Sequence, residues 1–234
     1  MVSQGAERLL LVQTQPPPTI FVLSYMRLFI TRHGHRADDP KNPAGKQVPQ
    51  FRPLDPDISS IGMEQATALG RRLKAEAKIN VVYSSPFLRT ARTAHLIAKE
   101  IGCKIKLEWG VAESFYPQWF SEWPGTTERQ KLAEMFDTVD LSYVQTGVLP
   151  KCPEYDQWET NERLLRAMAR MDLGEETLIV THALPMLLLH AGMTGWGNGP
   201  WNVYCCSLCC VEKIDEKWVS KLTCDMSHLG NLAL

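Results

Sequence analysis

Met26-Arg27-Leu28-Phe29-Ile30-Thr31-Arg32-His33-Gly34-His35-Arg36 carries more structural information than any other run in the chain. Its short apolar segment predicts a buried strand beginning at Met26. The strand closes in Arg32-His33-Gly34, which puts a guanidinium and an imidazole at its carboxyl edge. That edge is where open α/β sheets bind ligands. Gly34 has no Cβ, so the backbone there is expected to approach a bound group closely. Such a cluster suits a tetrahedral anion attacked by a histidine nitrogen.

Upstream, Pro16-Pro17-Pro18 disfavours helix and marks residues 1–25 as an N-terminal extension, with one domain expected over 26–234. Downstream, Pro40, Pro43, Pro49, Pro53 and Pro56 predict a long irregular loop over 38–58, directly after the suspected site. Gly62, Ala66, Leu69 and Leu73 then fall at helical spacing, with Ser59 or Ser60 as N-cap. Ile79 to Tyr83 reads as a short buried strand. Pro86 fits the first turn of a helix whose apolar face is Phe87, Ala91, Ala94, Ala98 and Ile101. A strand is expected over Lys104 to Leu107. Periodicity is weak from Trp109 to Pro150, apart from a capping box at Thr127 and Gln130 ahead of Leu132, Met135 and Phe136. A helix over Asp156 to Met171, a strand over Thr177 to Val180 and a helix from Pro185 through His190 follow. Val203 to Glu212 and Trp218 to Leu222 close the chain as a strand pair. This alternation predicts an α/β fold, a three-layer α/β/α sandwich around a largely parallel sheet.

Composition narrows the partners. The chain has 234 residues, 44% apolar and 22% charged, with a formal net charge of −1. That balance gives no electrostatic reason to expect nucleic acid or an anionic membrane, so any positive field must be local. No apolar stretch reaches the length of a membrane span, and Leu9 to Val12 is too short for a signal-peptide core. Seven cysteines, an odd number without framework spacing, favour a reducing compartment, and we expect a cytosolic protein. A homodimer is left open.

Three positions share one geometry. His33 follows the first strand, Ser84-Ser85-Pro86 with Arg89 follows the second, and His182 follows Thr177-Leu178-Ile179-Val180-Thr181. Parallel neighbouring strands would bring all three to one edge of the sheet. Arg89 and His182 would also sit at helix amino termini, which attract anions. The planar fork of arginine binds two phosphoryl oxygens at once, so the combination describes a phosphate pocket.

Together these pieces resemble the histidine phosphatase superfamily, also called phosphoglycerate mutase-like, over most of residues 26–222. The matching residues are Arg32-His33-Gly34, then Asp57-Ile58-Ser59-Ser60-Ile61-Gly62 with Gln65-Ala66. Tyr83-Ser84-Ser85-Pro86 with Arg89, Thr90 and Thr93 comes next, and Val180-Thr181-His182 last. Arg36 narrows the likeness to the subgroup of suppressor-of-T-cell-receptor-signalling proteins and insect ecdysteroid-phosphate phosphatases. The resemblance implies that His33 attacks phosphorus and forms a phosphohistidine. It implies further that Arg32, Arg36, Arg89 and His182 hold the non-bridging oxygens. An acid must protonate the leaving oxygen and then activate water. The family pattern in Glu108-x-Gly110-x-x-Glu113 makes Glu113 the candidate, with Glu108 as competitor. No metal or organic cofactor is implied. His35 stands where relatives often carry Glu, and is expected at the pocket rim. Ala183 stands where the acid-phosphatase branch has Asp.

Phe115, Tyr116, Trp119, Phe120 and Trp123 crowd the following loop, as part mini-core and part wall for an apolar or aryl leaving group. The expected substrate is therefore a bulky aromatic or apolar phosphate ester, on a small molecule or a phosphoprotein. A phosphoglycerate mutase would need basic residues for a neighbouring carboxylate, and 109–150 offers only Arg129 and Lys131. A catalytically weak phospho-ligand-binding scaffold is the third alternative. Cys205-Cys206 and Cys209-Cys210 invite a metal, but on a strand alternate residues face opposite ways, so buried thiols are expected. His95, His190 and His228 are assigned structural or solvent-facing roles.

Overall fold

The computed structural model describes residues 26–39, 54–197 and 202–233. The extension 1–25, and the loop from 40 to 53, lie outside the described residues. Elements alternate as β1 (Met26–Arg32), α1 (Ser60–Glu76), β2 (Val81–Ser84), α2 (Leu88–Ile101), β3 (Ile105–Leu107), α3 (Arg129–Met135), α4 (Gln157–Met168), β4 (Glu176–Thr181), α5 (Ala183–Thr194), β5 (Leu208–Ile214) and β6 (Lys217–Asp225). The six strands form one sheet in the order β3-β2-β4-β1-β5-β6. β3, β2, β4 and β1 run parallel; β5 runs against both β1 and β6.

Burial explains the order. Every residue of β4 is buried, as a strand covered on both faces must be, and its centre, Leu178-Ile179-Val180, is an unbroken apolar run rather than an alternation. β6, at the edge, is exposed or half-buried throughout. Phe29, Val82, Leu178, Val180 and Cys210 point to the layer of α1 and α2. Leu28, Ile30, Tyr83, Ile179, Cys209 and Val211 point to the layer of α4 and α5. The sandwich thus has three layers, with a core on each face of the sheet.

Local chemistry moves several boundaries. Ser59 is the N-cap of α1, its Oγ accepting from Gly62 N, an interaction worth about 1 kcal/mol. Pro86 lies just outside α2, whose N-cap is Phe87. Thr127 and Gln130 form no capping box: the N-cap of α3 is Glu128, with no side-chain cap bond. Thr127 is diverted instead, giving its N–H and hydroxyl to Asp55 Oδ2 at 2.8 and 3.0 Å. β5 starts at Leu208, so Cys205 and Cys206 lie in the preceding turn, not on the strand. Cys206 there adopts a positive φ of 53°. Among the described residues no helix is long and apolar enough to cross a membrane.

Candidate active site

β2, β4 and β1 are adjacent and parallel, so the residues following them meet at one edge. Backbone bonds continue the ladder beyond the strands: His33 N donates to Thr181 O at 2.9 Å, and Ser85 N to Val180 O at 3.0 Å. The His33 and His182 rings consequently face each other edge-on, centroids 5.4 Å apart. Arg89, in the first turn of α2, lies over the Phe87 ring at 4.5 Å, and Phe87 in turn packs on His182.

The glycine after His33 also serves close packing within the protein. A Cβ on Gly34 would come within 2.6 Å of Gly62 O, and one on Gly62 within 2.4 Å of His35 O. The two glycines let the His33 loop lie directly on the start of α1. Gly34 N then donates to Thr93 Oγ1 at 3.0 Å, and Thr93 Oγ1 to Arg89 O at 2.7 Å. One hydroxyl therefore couples the histidine loop to the helix that carries the arginine.

His33 Nδ1 lies 2.8 Å from Gly34 O. A carbonyl only accepts, so Nδ1 carries the proton and Nε2 the lone pair. Burial holds the His33 imidazole well below its usual pKa, and the charges of Arg32, Arg89 and Arg36 add to this. His182 is lowered in the same way, by burial first and then by Arg89. Its Nε2 is 2.8 Å from Ser85 Oγ, leaving Nδ1 turned toward Glu113 Oε2 at 3.3 Å. Ser85 was legible only as part of a motif; nothing in sequence gave it an imidazole to orient.

Around the two rings lie donors with nothing to bind. Arg89 Nε and Nη1, Arg32 Nε and His182 Nδ1 are all buried without a hydrogen-bond partner among the described residues. Arg89 is only 3% exposed, and burial pulls its guanidinium down to about 10. A buried, unsatisfied donor costs about 1–3 kcal/mol where a made bond returns about 1 kcal/mol, so four at one spot are suited to receiving an anion. Arg32 Nη1 is committed to Val203 O at 2.9 Å. Arg36 is paired with Asp38 at 2.6 Å, yet still lines the cleft beside the histidines. The amino terminus of α2 is partly spent, because Leu88 N donates to Asp55 Oδ1 at 2.7 Å.

Glu113 and Glu108 separate clearly. Glu113 reaches the cleft, with Oε2 3.7 Å from Arg89 Nη2. Burial raises its carboxyl pKa, against the opposing pull of Arg89. Glu108 is fully buried and saturated by Gly110 N, Tyr143 Oη, Thr146 N and Thr146 Oγ1, all within 3.0 Å.

The cleft holds about 370 Å³, and its lining is both charged, through Arg36, Arg89 and Glu113, and apolar, through Leu54, Trp119, Phe120, Ala183 and Leu184. The aromatic loop divides as its composition implied. Phe115 and Phe120 form a small core with Phe87 and Ala112, while Trp119 and Trp123 stay half exposed. His35 is not at the rim: it is buried, with Nδ1 2.8 Å from the Ser59 cap hydroxyl. His95, His190 and His228 pair with Thr138, Ser220 and the Cys206 carbonyl. Cys209 and Cys210 pack in opposite cores.

Paired histidines, buried arginine donors and a raised carboxyl meet at one sheet edge, an arrangement suited to a tetrahedral anion. The chain belongs to the histidine phosphatase superfamily (branch 1), whose family model matches residues 28–225. It is 24% identical over 214 residues to a metal-independent phosphoserine phosphatase of Arabidopsis thaliana, covering 88% of this chain and 84% of that protein. It is 23% identical over 224 residues to a probable phosphoglycerate mutase of Photorhabdus laumondii, covering 89% and 97%. In fold it is similar to the ecdysone phosphate phosphatase of Bombix mori solved with tungstate, with a TM-score of 0.70, 20% identity and coverage of 86% and 94%.

Proposed function

We propose that the protein is a phosphomonoester hydrolase working through a phosphohistidine on His33, with bulky aromatic or apolar esters as substrates. The observation that carries this is the set of unpartnered buried donors on Arg32, Arg89 and His182 surrounding a neutral His33 whose Nε2 holds a lone pair.

In the first step Nε2 attacks phosphorus and the ester P–O bond breaks. Glu113, whose carboxyl pKa its burial raises, gives its proton to the leaving oxygen. Arg89, Arg32 and His182 Nδ1–H bind the non-bridging oxygens, and Arg36 closes the mouth. In the second step Glu113, now a carboxylate, takes a proton from water as the water oxygen attacks phosphorus. The P–N bond breaks, His33 regains its lone pair and phosphate leaves. These residues perform both steps without a metal or organic cofactor.

The wall of Leu54, Trp119, Phe120 and Leu184 supports an apolar leaving group. It offers nothing to a substrate carboxylate, which argues against mutase chemistry despite the mutase relatives. The phosphoserine phosphatase relatives favour hydrolysis of a monoester, and the apolar wall favours one larger than serine. Either a small molecule or a phosphoprotein side chain fits this chemistry, in a cytosolic setting suited to its free thiols.

The test is hydrolysis of 4-nitrophenyl phosphate by the wild type and by His33→Ala, with serine phosphate as the small polar comparison. The aryl ester should be preferred and the variant inactive. Turnover surviving in the variant would refute the nucleophile, and a preference for serine phosphate would refute the substrate class.

A further inference from the structure

Glu113 sits in a loop of irregular structure, yet its carboxyl must be aimed at a leaving oxygen with sub-ångström precision. Loops do not achieve that unaided, and the hydrogen bonds of this one lead to a single side chain on the far side of it. Arg163, on α4, is 4% exposed and uses every N–H it has. Nη1 donates to Gly110 O at 2.9 Å and Ala112 O at 3.1 Å, and Nη2 to Glu113 O at 2.9 Å. Nε and Nη2 form a fork on Glu154 at 2.7 and 3.1 Å. Glu154, 1% exposed, accepts in addition from Phe115 N at 3.0 Å and Thr160 Oγ1 at 2.9 Å, and its own N–H donates to Phe115 O. The backbone on both sides of Glu113 is thereby clamped, carbonyl by carbonyl, to one guanidinium–carboxylate pair.

A buried ion pair is a poor choice if stability alone is wanted, since apolar residues of similar volume do as well or better. It is a good choice for fixing direction, because the planar fork sets angles as well as distances. The clamp also lies outside the cleft: neither Arg163 nor Glu154 is among the residues that line it.

We propose that Arg163 and Glu154, with Thr160 as their support, are positioning residues for the general acid, setting the aim of the Glu113 carboxyl and not merely the stability of α4. The inference rests on the assignment of Glu113 under the proposed function. A misaimed acid costs most where the leaving group needs a proton and least where it does not. Global loosening would slow both kinds of ester alike.

The experiment compares kcat/KM for phenyl phosphate, a poor leaving group, with 4-nitrophenyl phosphate, a good one. Arg163→Lys keeps the charge and loses the fork; Thr160→Val removes one support and leaves the ion pair. Arg163→Lys should lower kcat/KM on phenyl phosphate by about 10- to 100-fold, the usual range for misdirected catalytic groups. Its loss on 4-nitrophenyl phosphate should stay under about threefold, with vanadate inhibition unchanged, because the anion site is untouched. Thr160→Val should shift the ratio the same way by a smaller factor. Equal losses on both esters, or no loss on either, would overturn the proposal; if Arg163→Lys does not fold, an unshifted ratio in Thr160→Val does so. Glu113→Gln separates the two layers: it must itself show the leaving-group bias. If it shows none, the acid assignment fails, and the clamp's role with it. If it does and the clamp variants do not, only the clamp fails.

Discussion

Two ends of one loop hold a glutamate each, Glu108 fully buried and Glu113 half-buried, and their surroundings are opposite. At Glu108 four donors converge on the carboxylate, and Tyr143 and Thr146 are drawn in from a distant segment to supply three of them. At Glu113 the carboxyl faces a cleft and keeps company with groups that lack partners, notably His182 Nδ1. The first environment is complete without a ligand, and the second is complete only with one. Burial alone therefore does not mark a functional acid; what marks it is burial beside unmet donors.

Glu113→Gln should break this contrast most visibly. It should lose about a hundredfold to ten-thousandfold in kcat/KM on phenyl phosphate, as removal of a general acid does. Thermal unfolding should barely move, since the carboxyl's desolvation cost is relieved in the variant. Glu108→Gln should do the reverse. An amide nitrogen would face Tyr143, Thr146 or Gly110 donors, costing about 2–4 kcal/mol. That corresponds to a fall in Tm of roughly 4–15 °C for a chain of this size, read by calorimetry, with kcat/KM within about threefold of wild type. A catalytic loss at Glu108 matching that at Glu113 would erase the distinction.

Acidity offers a subtler test at the cleft end. His33 and His182 have folded pKa values below the ordinary 6.5, so on acidification the unfolded chain takes up protons that the folded one refuses. Stability should therefore fall as pH drops through about 6.5 toward the folded values. Glu113 acts oppositely: its raised pKa returns stability as the carboxyl is protonated. Unfolding midpoints from about pH 7.5 to 5.5 should show the decline, and His182→Gln should flatten it. The acid limb of kcat/KM should lie below pH 6.5, because His33 stays neutral there; an inflection at 6.5 would speak against its buried, arginine-flanked setting. Smallest of all, Trp119→Ala should raise KM for aryl esters by about five- to tenfold, the worth of roughly one aromatic contact, and leave serine phosphate alone.

Sequence made the parallel strands legible because each is a short apolar run ending in polar residues of distinctive chemistry. The meeting of His33, Arg89 and His182 followed from topology alone. Contacts made across long separations stayed hidden. Thr127 looked like a cap until Asp55, from a proline-rich loop, captured it. Gly34 read as a ligand contact, and its packing on Gly62 gave no sign in the sequence. Arg163 drew no assignment from sequence, although one signal was present. It shares the buried face of α4 with Thr160, Leu164 and Ala167, so a guanidinium interrupts an apolar stripe. A charge in that register is a reason to look for the carboxylate that meets it.

On the proposed mechanism one imidazole nitrogen, His33 Nε2, takes up the phosphoryl group inside a hole of unmet donors. Rapid acid-free quenching of the enzyme during turnover of a radiolabelled aryl phosphate, followed by peptide mapping, tests it most directly. The expected result is an acid-labile, alkali-stable phosphoryl group on the peptide containing His33, absent in His33→Ala. Label on the His182 peptide instead, or full turnover with no labelled histidine at any time point, would contradict it.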